Sequence, residues 1–221
     1  MTGLSHVTDW VFDMDDTLYP AEQGVLKLVE ARINAYVVDA VGLEPEAAHV
    51  LQKQFLDEHG TTLAGLMANY TIDPQDFLEV VHDVPLDRIE PNPALAEQLR
   101  RLPGRCFVFT NGARGYAHRV LERIGILDCF EGVWAIEDGD LTPKPAPSAF
   151  RRMADHFDID PRQAAFFEDT PRNLEPAKAL GMTTILMNGP RAAGLKPGGH
   201  IDYIALDLTE FLTTLAFEDA A

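Results

Sequence analysis

Three carboxylates follow a short apolar run near the start of the sequence. Residues 10–20 read WVFDMDDTLYP, so Asp13, Asp15 and Asp16 lie within four positions of one another. Acidic side chains at the end of a buried strand are unfavourable unless a cation or a reaction uses them. The cluster therefore indicates a metal site or a centre of acid–base chemistry, with Asp16 assigned to bracing the turn.

Three further segments place polar side chains at the end of a predicted strand or just before a helix. RCFVFTNG carries Thr110 and Asn111, TPKPAP carries Lys144, and AAFFEDT carries Glu168 and Asp169. In an open parallel sheet, ligands bind at the carboxyl ends of the strands. We therefore expect these side chains to lie together at one edge of a sheet.

These residue types suit phosphoryl transfer through an aspartyl-phosphate. A carboxylate attacks phosphorus only when a hard cation with oxygen ligands offsets the repulsion between two anions. Asp13 would be the nucleophile, and Asp13 and Asp169 would hold Mg²⁺, with Glu168 binding it directly or through water. Asp15 would protonate the leaving oxygen and later deprotonate the attacking water.

The non-bridging oxygens of a phosphate also need donors. The candidates are the Thr110 hydroxyl, the Asn111 backbone N–H, the loop N–H groups near Met14 and the Lys144 ammonium. Such groups stabilise negative charge as it develops. We predict that they form the phosphate-binding site.

Hydrophobic spacing divides the sequence into two parts of different class. From residue 21 to about residue 90, apolar positions recur at helical spacing and nothing reads as a strand. Elsewhere strands and helices alternate as in βαβ units, with predicted strands at residues 10–13, 105–110, 132–136, 164–167 and 183–187. We predict an α/β fold with a Rossmann-like parallel sheet flanked by helices, built from residues 1–20 and 91–221, and an all-helical domain inserted at 21–90.

Composition and charge narrow the class of partner. Acidic residues number 35 against 18 basic ones, which gives a formal net charge of −17. Such a surface repels a nucleic-acid polymer, so we expect a small anionic substrate that meets a local positive site. The sequence has no long apolar run and no secretory leader pattern, which predicts a cytoplasmic protein without a membrane partner. The oligomeric state stays open.

The four segments resemble, in order, the motifs of the haloacid dehalogenase (HAD) superfamily of aspartate-nucleophile hydrolases. They read FDMDDTL, CFVFTNG, TPKP and FFEDTPRNL, and the resemblance covers nearly the whole chain. It implies a HAD-like core and identifies the helical insertion as a mobile cap that closes over substrate. The roles it implies are nucleophile and metal ligand for Asp13, acid/base and carbonyl metal ligand for Asp15, phosphate ligands for Thr110 and Lys144, and metal ligand for Asp169 with Glu168 in support.

A finer resemblance concerns the substrate. LYP after the first motif, HGTTLAGL in the insertion and FTNG in the second motif are similar to the pyrimidine 5′-nucleotidase branch. This implies a small phosphorylated metabolite, a pyrimidine nucleoside 5′-monophosphate, as substrate. The specificity candidates are Tyr19, His59, Thr61 and Thr62. Alternatively, Thr61 caps a helix and Tyr19 packs under the insertion.

Other functions use similar residues. A sugar-phosphate phosphatase would share the whole motif set, and a phosphoglucomutase-like enzyme would need extra cations in the insertion, which offers few beyond Lys27, Arg32 and Lys53. A dehalogenase has no use for the acid at Asp15. A phospho-accepting signalling receiver places its acidic pair on the first strand, the reverse of the order found here. A binding module without catalysis is the remaining alternative.

Overall fold

The protein is described by a computed structural model over residues 2–187 and 197–215. Within those residues, six parallel strands form one sheet: β1 (Asp9–Phe12), β2 (Arg105–Phe109), β3 (Gly132–Trp134), β4 (Ala164–Glu168), β5 (Thr183–Met187) and β6 (Tyr203–Ala205). Their order is β3-β2-β1-β4-β5-β6, so β1 lies between β2 and β4. The α/β class with a Rossmann-like parallel sheet is confirmed.

Nine α-helices accompany the sheet in the same described ranges. Four follow β1 directly: α1 (Val25–Val41), α2 (Pro45–His59), α3 (Thr62–Asn69) and α4 (Pro74–His82). The others are α5 (Pro93–Arg101), α6 (Arg114–Ile124), α7 (Pro147–His156), α8 (Pro171–Leu180) and α9 (Leu208–Thr213). Over the described residues, none of these helices is long and apolar enough to cross a bilayer.

The division into two domains stays a prediction. Its helical part, residues 21–90, contains α1 to α4 and no strand among the described residues. Its other part extends to residue 221, and residues 188–196 and 216–221 of that range lie outside the described residues. We refer below to α1–α4 as the helical insertion.

Both faces of the sheet are covered, since side chains alternate along each strand. Trp10 and Phe12 belong to the apolar cluster that includes residues of α5, α6 and α9, whereas Val11 belongs to the cluster that includes residues of α7 and α8. The ring of Phe12 stacks on that of Phe167, with 4.6 Å between their centres. Burial on both faces explains why the strands are almost wholly apolar while polar side chains follow at their ends.

The helical insertion continues the core of the sheet and reaches its carboxyl edge. Val25, Val29 and Val37 of α1 are buried in the same cluster as residues of β1. The end of α2 lies close to the loop before α7. Gly60 has a φ of +85°, and a Cβ at this position would lie 3.1 Å from the carbonyl oxygen of Lys144. The insertion therefore contacts the segment that carries Lys144.

Four strand ends differ from the prediction. β2 ends at Phe109 rather than at residue 110, and β4 ends at Glu168 rather than at residue 167. β1 ends at Phe12 rather than at residue 13, because the chain turns at Met14, whose carbonyl accepts from the backbone N–H of Leu18 at 2.9 Å. β3 ends at Trp134 rather than at residue 136. There the Asp138 carboxylate accepts from the backbone N–H of residue 135 at 2.8 Å and begins a 3-10 turn.

We expect Gly104→Ala to lower the free energy of unfolding by more than about 3 kcal/mol, through strain at positive φ together with overpacking. Gly104 has a φ of +86°, and a Cβ there would lie 2.0 Å from the carbonyl oxygen of Thr8. That oxygen accepts from the N–H of Arg105 at the start of β2, at 2.8 Å, so it has little room to move. Urea denaturation measures the loss.

Gly42→Ala is the matched control. Gly42 has a φ of +75°, but a Cβ there would have no atom of another described residue within 4 Å beyond its immediate neighbours in the chain. It should lose only about 1–2 kcal/mol, the strain of the left-handed conformation alone. Equal losses for the two variants would contradict the steric argument at Gly104.

Candidate active site

Asp13 lies at the carboxyl edge of the sheet, where β1 passes into a tight turn. Its backbone N–H donates to the carbonyl of Phe167 at 2.9 Å, and its side chain is buried. Because β2 and β4 flank β1 in register, Thr110 and Glu168 reach the same edge. The polar residues that follow the three central strands therefore meet.

Lys144 joins these strand ends through a buried ammonium. Its Nζ donates to Asp13 Oδ1 at 2.6 Å, to Glu168 Oε2 at 2.8 Å and to the carbonyl of Phe109 at 2.9 Å. The residue is only 2% exposed, and an ammonium has three donors, so each has a partner. Burial lowers the pKa of Lys144, but the Asp13 and Glu168 carboxylates outweigh it and the pKa is raised. The side chain stays charged.

The backbone of Lys144 is held by the side chain of Asn111. Asn111 Oδ1 accepts from the Lys144 N–H at 2.8 Å, and Asn111 Nδ2 donates to the Lys144 carbonyl at 3.2 Å. Beside it, the buried Thr110 Oγ1 accepts from the N–H of Gly112 at 2.9 Å. From the sequence we expected Asn111 to act through its backbone N–H. Its side chain thus has a positioning role that the sequence did not indicate.

Three carboxylates gather beside this ammonium. Asp13, Glu168 and Asp169 each offer an oxygen, and these atoms lie within 4.8 Å of one another. Burial and the Glu168 charge raise the pKa of Asp13 to about 8, with Lys144 opposing, while burial, Glu168 and Asp13 raise the pKa of Asp169 to about 9. One ammonium does not balance three carboxylates. The all-oxygen donor group therefore fits a hard divalent cation such as Mg²⁺.

Asp15 lies two residues beyond Asp13 in a different environment. Tyr116 donates its hydroxyl to Asp15 Oδ1 at 2.8 Å, and Tyr19 donates to the same oxygen in a short hydrogen bond. Burial raises the pKa of Asp15, and the two phenol hydrogen bonds oppose this effect. Asp15, Asp13 and Lys144 line one cavity of about 720 Å³. The two aspartates therefore line the same space.

That cavity extends from the sheet edge into the helical insertion. Its insertion side includes apolar side chains, Leu26, Val29 and Ile33 from α1 and Phe77, Leu78 and Val81 from α4, beside polar ones such as Glu30 and Gln52. Charged side chains on the walls away from the strand ends include Lys27, Lys53 and Arg172. The volume is in the range of pockets that hold a small metabolite. A ligand with its phosphate at the strand ends would extend between α1 and α4.

The four specificity candidates occupy different places. Thr61 and Thr62 are among the described residues that line the cavity, and Tyr19 and His59 are not. Thr61 is the N-cap of α3, since its hydroxyl accepts from the N–H of Ala64 at 3.1 Å, which is the alternative we noted from the sequence. Thr62 is buried and donates to the Gln52 carbonyl at 3.5 Å. Substrate recognition by these residues stays a prediction.

Two residues near Asp15 belong to none of the four sequence motifs. In the sequence, Tyr116 is an apolar position of a helix, and His82 is an ordinary histidine at the end of another. In the structure, their rings stack with 4.7 Å between centres, and the Tyr116 hydroxyl reaches Asp15. Helical periodicity predicts that Tyr116 is buried, but it does not say what its hydroxyl contacts.

Residues 11–181 match the model of the family described as haloacid dehalogenase-like hydrolase. The chain belongs to this family. The match runs from β1 to the residue after α8, so it includes every strand-end residue of the site. The superfamily resemblance stated from the motifs is confirmed, and the finer resemblance to pyrimidine nucleotidases stays a proposal.

Two other proteins are similar to this hydrolase over most of its length. Phosphate metabolism protein 8 of Saccharomyces cerevisiae is 26% identical over 194 residues, which cover 79% of this chain and 60% of the yeast protein. This chain thus spans less than two thirds of that relative. Glyceraldehyde 3-phosphate phosphatase of Methanopyrus kandleri is 26% identical over 208 residues, 87% of this chain and 88% of that protein.

A solved structure has the same fold. The crystal structure of a HAD phosphatase from Thermococcus onnurineus aligns with a TM-score of 0.62 at 22% identity, covering 94% of this chain and 97% of that chain. The alignment includes both the sheet and the helical insertion, since it extends over nearly all of the sequence. It supports the HAD-like fold and carries no argument about substrate.

In metal-free solution, we expect the melting temperature to fall as the pH rises from about 5 to about 9. Asp13 and Asp169 have folded-state pKa values of about 8 and about 9, whereas an ordinary Asp ionises near 3.8. The folded state therefore binds more protons than the unfolded state in this window, and stability declines with pH. Asp169→Asn removes one such group, so its melting temperature should fall less over this pH range. Thermal melts in EDTA measure the difference.

Asp128→Asn is the control for this experiment, because Asp128 is exposed and pairs with Arg100 at the surface. The melting temperature of this variant should fall with pH as steeply as that of the wild type. Excess Mg²⁺ at about pH 8 should raise the melting temperature of the wild type and raise that of Asp169→Asn less, since a ligand that binds only the folded state stabilises it. The interpretation fails if wild type and Asp169→Asn show the same slope.

Proposed function

We propose that this chain is a Mg²⁺-dependent phosphatase that hydrolyses phosphate monoesters through a phospho-Asp13 intermediate. The supporting observation is the convergence at one sheet edge of a nucleophilic carboxylate, a buried ammonium and an acidic cluster, with the separate acid Asp15 lining the same cavity. Family membership agrees with a hydrolase. The similarity to phosphate metabolism protein 8 of Saccharomyces cerevisiae and to glyceraldehyde 3-phosphate phosphatase of Methanopyrus kandleri also supports the proposal.

The reaction divides into two steps. In the first, an Asp13 oxygen bonds to phosphorus while the ester P–O bond breaks, and the leaving oxygen takes the proton of Asp15. In the second, water attacks phosphorus, Asp15 accepts its proton, and the Asp13–phosphorus bond breaks to release phosphate. Together the two steps restore Asp13 and Asp15 to their starting forms, and proton transfer of this kind contributes about 10²–10⁴-fold.

Charge at phosphorus must be stabilised throughout. We assign the phosphate oxygens to the Thr110 hydroxyl, the Asn111 N–H, the N–H groups near Met14 and the Lys144 ammonium, which would exchange one of its three present acceptors for a phosphate oxygen. A bound Mg²⁺ would supply positive charge that offsets the repulsion between the nucleophile and the phosphate. The residues assigned to hold it are Asp13, Asp169 and the Asp15 carbonyl, with Glu168 in support.

For the substrate, we propose a pyrimidine nucleoside 5′-monophosphate. The cavity of about 720 Å³ has room for a nucleotide, and the apolar side chains that α1 and α4 contribute to its walls suit the flat ring of a base. Thr61 and Thr62, from the HGTTLAGL segment, line its other side. A hydroxyl-rich sugar would gain less from those apolar side chains.

The second candidate is a sugar-phosphate phosphatase. The observation in its favour is the similarity to glyceraldehyde 3-phosphate phosphatase, which extends over 87% of this chain. A mutase is less well supported, because it must hold a second phosphate, and the cavity-lining Lys27 and Lys53 of the insertion are exposed.

Asp13→Asn should reduce phosphate release at least about a thousandfold, because the attacking carboxylate is lost. Lys144 keeps Glu168 as a buried partner, so the fold should persist. Release of inorganic phosphate with Mg²⁺ present measures the loss, and a thermal melt checks the fold. Asp128→Asn, at an exposed position, should retain wild-type turnover. Turnover by folded Asp13→Asn would contradict the assigned nucleophile.

A substrate panel separates the two candidates. We expect kcat/KM for uridine and cytidine 5′-monophosphates to exceed that for purine nucleotides and for sugar phosphates by about tenfold or more, the discrimination that pocket shape can supply. Initial rates of phosphate release at several concentrations provide the values. Indifference to the base, or a preference for sugar phosphates, would exclude the nucleotidase proposal and favour the second candidate.

A further inference from the structure

Two buried tyrosines hold the carboxyl group of Asp15. The Tyr116 hydroxyl donates to Asp15 Oδ1 at 2.8 Å, the Tyr19 hydroxyl donates to the same oxygen, and the two hydroxyls lie 3.4 Å apart. We propose that Tyr19 and Tyr116 are positioning residues for the proton transfer by Asp15. This inference rests on the proposed function, in which Asp15 is the acid and base.

The hydrogen bonds select one oxygen of Asp15 for the reaction. A carboxyl oxygen has two lone pairs, and the two phenols occupy both of them on Oδ1. Oδ2 is left to carry the proton and exchange it with the leaving oxygen or the attacking water. The tyrosines therefore fix both the identity and the direction of the reacting atom.

Packing alone does not require the hydroxyl groups of Tyr19 and Tyr116. Tyr19 is 3% exposed and Tyr116 2% exposed, and both belong to the apolar core, where a phenylalanine ring would pack equally well. Among the hydrogen bonds between described residues, their hydroxyls contact only Asp15 and each other. A buried hydroxyl is retained at such a site when it has a partner that needs it.

Tyr116 is itself fixed by the helical insertion. The ring of His82, at the end of α4, stacks on the Tyr116 ring at 4.7 Å with 30° between planes. One turn along α6, Arg119 donates to the His82 carbonyl at 2.6 Å. The end of α4 is thus attached to α6 beside the tyrosine. The placement of the insertion is therefore linked to the placement of the acid.

A displaced acid should matter most for a leaving group that needs its proton. p-Nitrophenolate departs without a proton, whereas phenolate is a much stronger base and benefits from general acid catalysis. We expect Tyr116→Phe to lower kcat/KM for phenyl phosphate by about tenfold or more and that for p-nitrophenyl phosphate by less than about threefold. This ratio reports the step that breaks the ester bond, and loss of fold would not change it selectively.

The experiment compares both esters, with Mg²⁺ present, for wild type, Tyr116→Phe, Tyr19→Phe and Tyr36→Phe. Tyr36→Phe is the matched control, because Tyr36 also donates its hydroxyl to an aspartate, Asp76, but within the insertion at 3.0 Å. It should leave both rates unchanged. In an Asp15→Asn background, Tyr116→Phe should have no further effect on phenyl phosphate, since both changes act on the same proton transfer.

Each outcome decides the question. Selective loss on phenyl phosphate in either tyrosine variant, abolished in the Asp15→Asn background, supports the proposal. The proposal is overturned if kcat/KM falls equally for both esters, if it does not fall, or if its loss adds to that of Asp15→Asn. Each of these outcomes leaves the phosphatase assignment intact. If the wild type hydrolyses neither ester nor any member of the substrate panel, the proposed function fails, and this inference fails with it.

Discussion

The site depends on one buried ammonium. Lys144 Nζ reaches an acid after β1, a carbonyl of β2 and an acid at the end of β4, so it ties together three neighbouring strands at their carboxyl ends. An unpaired buried charge would be strongly destabilising, so removing the ammonium would leave the acids of this network uncompensated. The contacts that hold the sheet edge in place are therefore the same contacts that position Asp13, the proposed nucleophile, and Lys144, a proposed phosphate ligand.

The charge balance of this network is incomplete by itself. Three carboxylates share one ammonium, and the raised pKa values of Asp13 and Asp169, about 8 and about 9, reflect their burial and the surplus of negative charge. A bound divalent cation would remove that surplus and would let an anionic substrate approach an acidic protein with a formal net charge of −17. The same surplus that we expect to destabilise the metal-free fold at high pH would thus favour the binding of a cation.

The strand-end residues could be predicted because parallel topology brings them together. Once strands were placed before Asp13, Thr110 and Glu168, their meeting at one edge followed from the sheet alone. The Tyr116 hydroxyl and the Asn111 side chain could not be predicted, since their partners depend on how a helix and a loop pack in three dimensions. Helical periodicity predicts the burial of a ring, but the direction of its polar atom requires the tertiary structure.

Asp13 and Asp15 differ in what holds them, and this difference supports the two different roles proposed for acids so close in the chain. Asp13 is fixed by a backbone hydrogen bond to β4 and by Lys144, so it belongs to the sheet. Asp15 is held by the side chains of Tyr19, on the connection to α1, and Tyr116, against which α4 packs. Environment alone sets one carboxylate as nucleophile and another as proton carrier. The proposed nucleophile therefore depends on the geometry of the sheet, while the proposed acid depends on the segments that also shape the cavity.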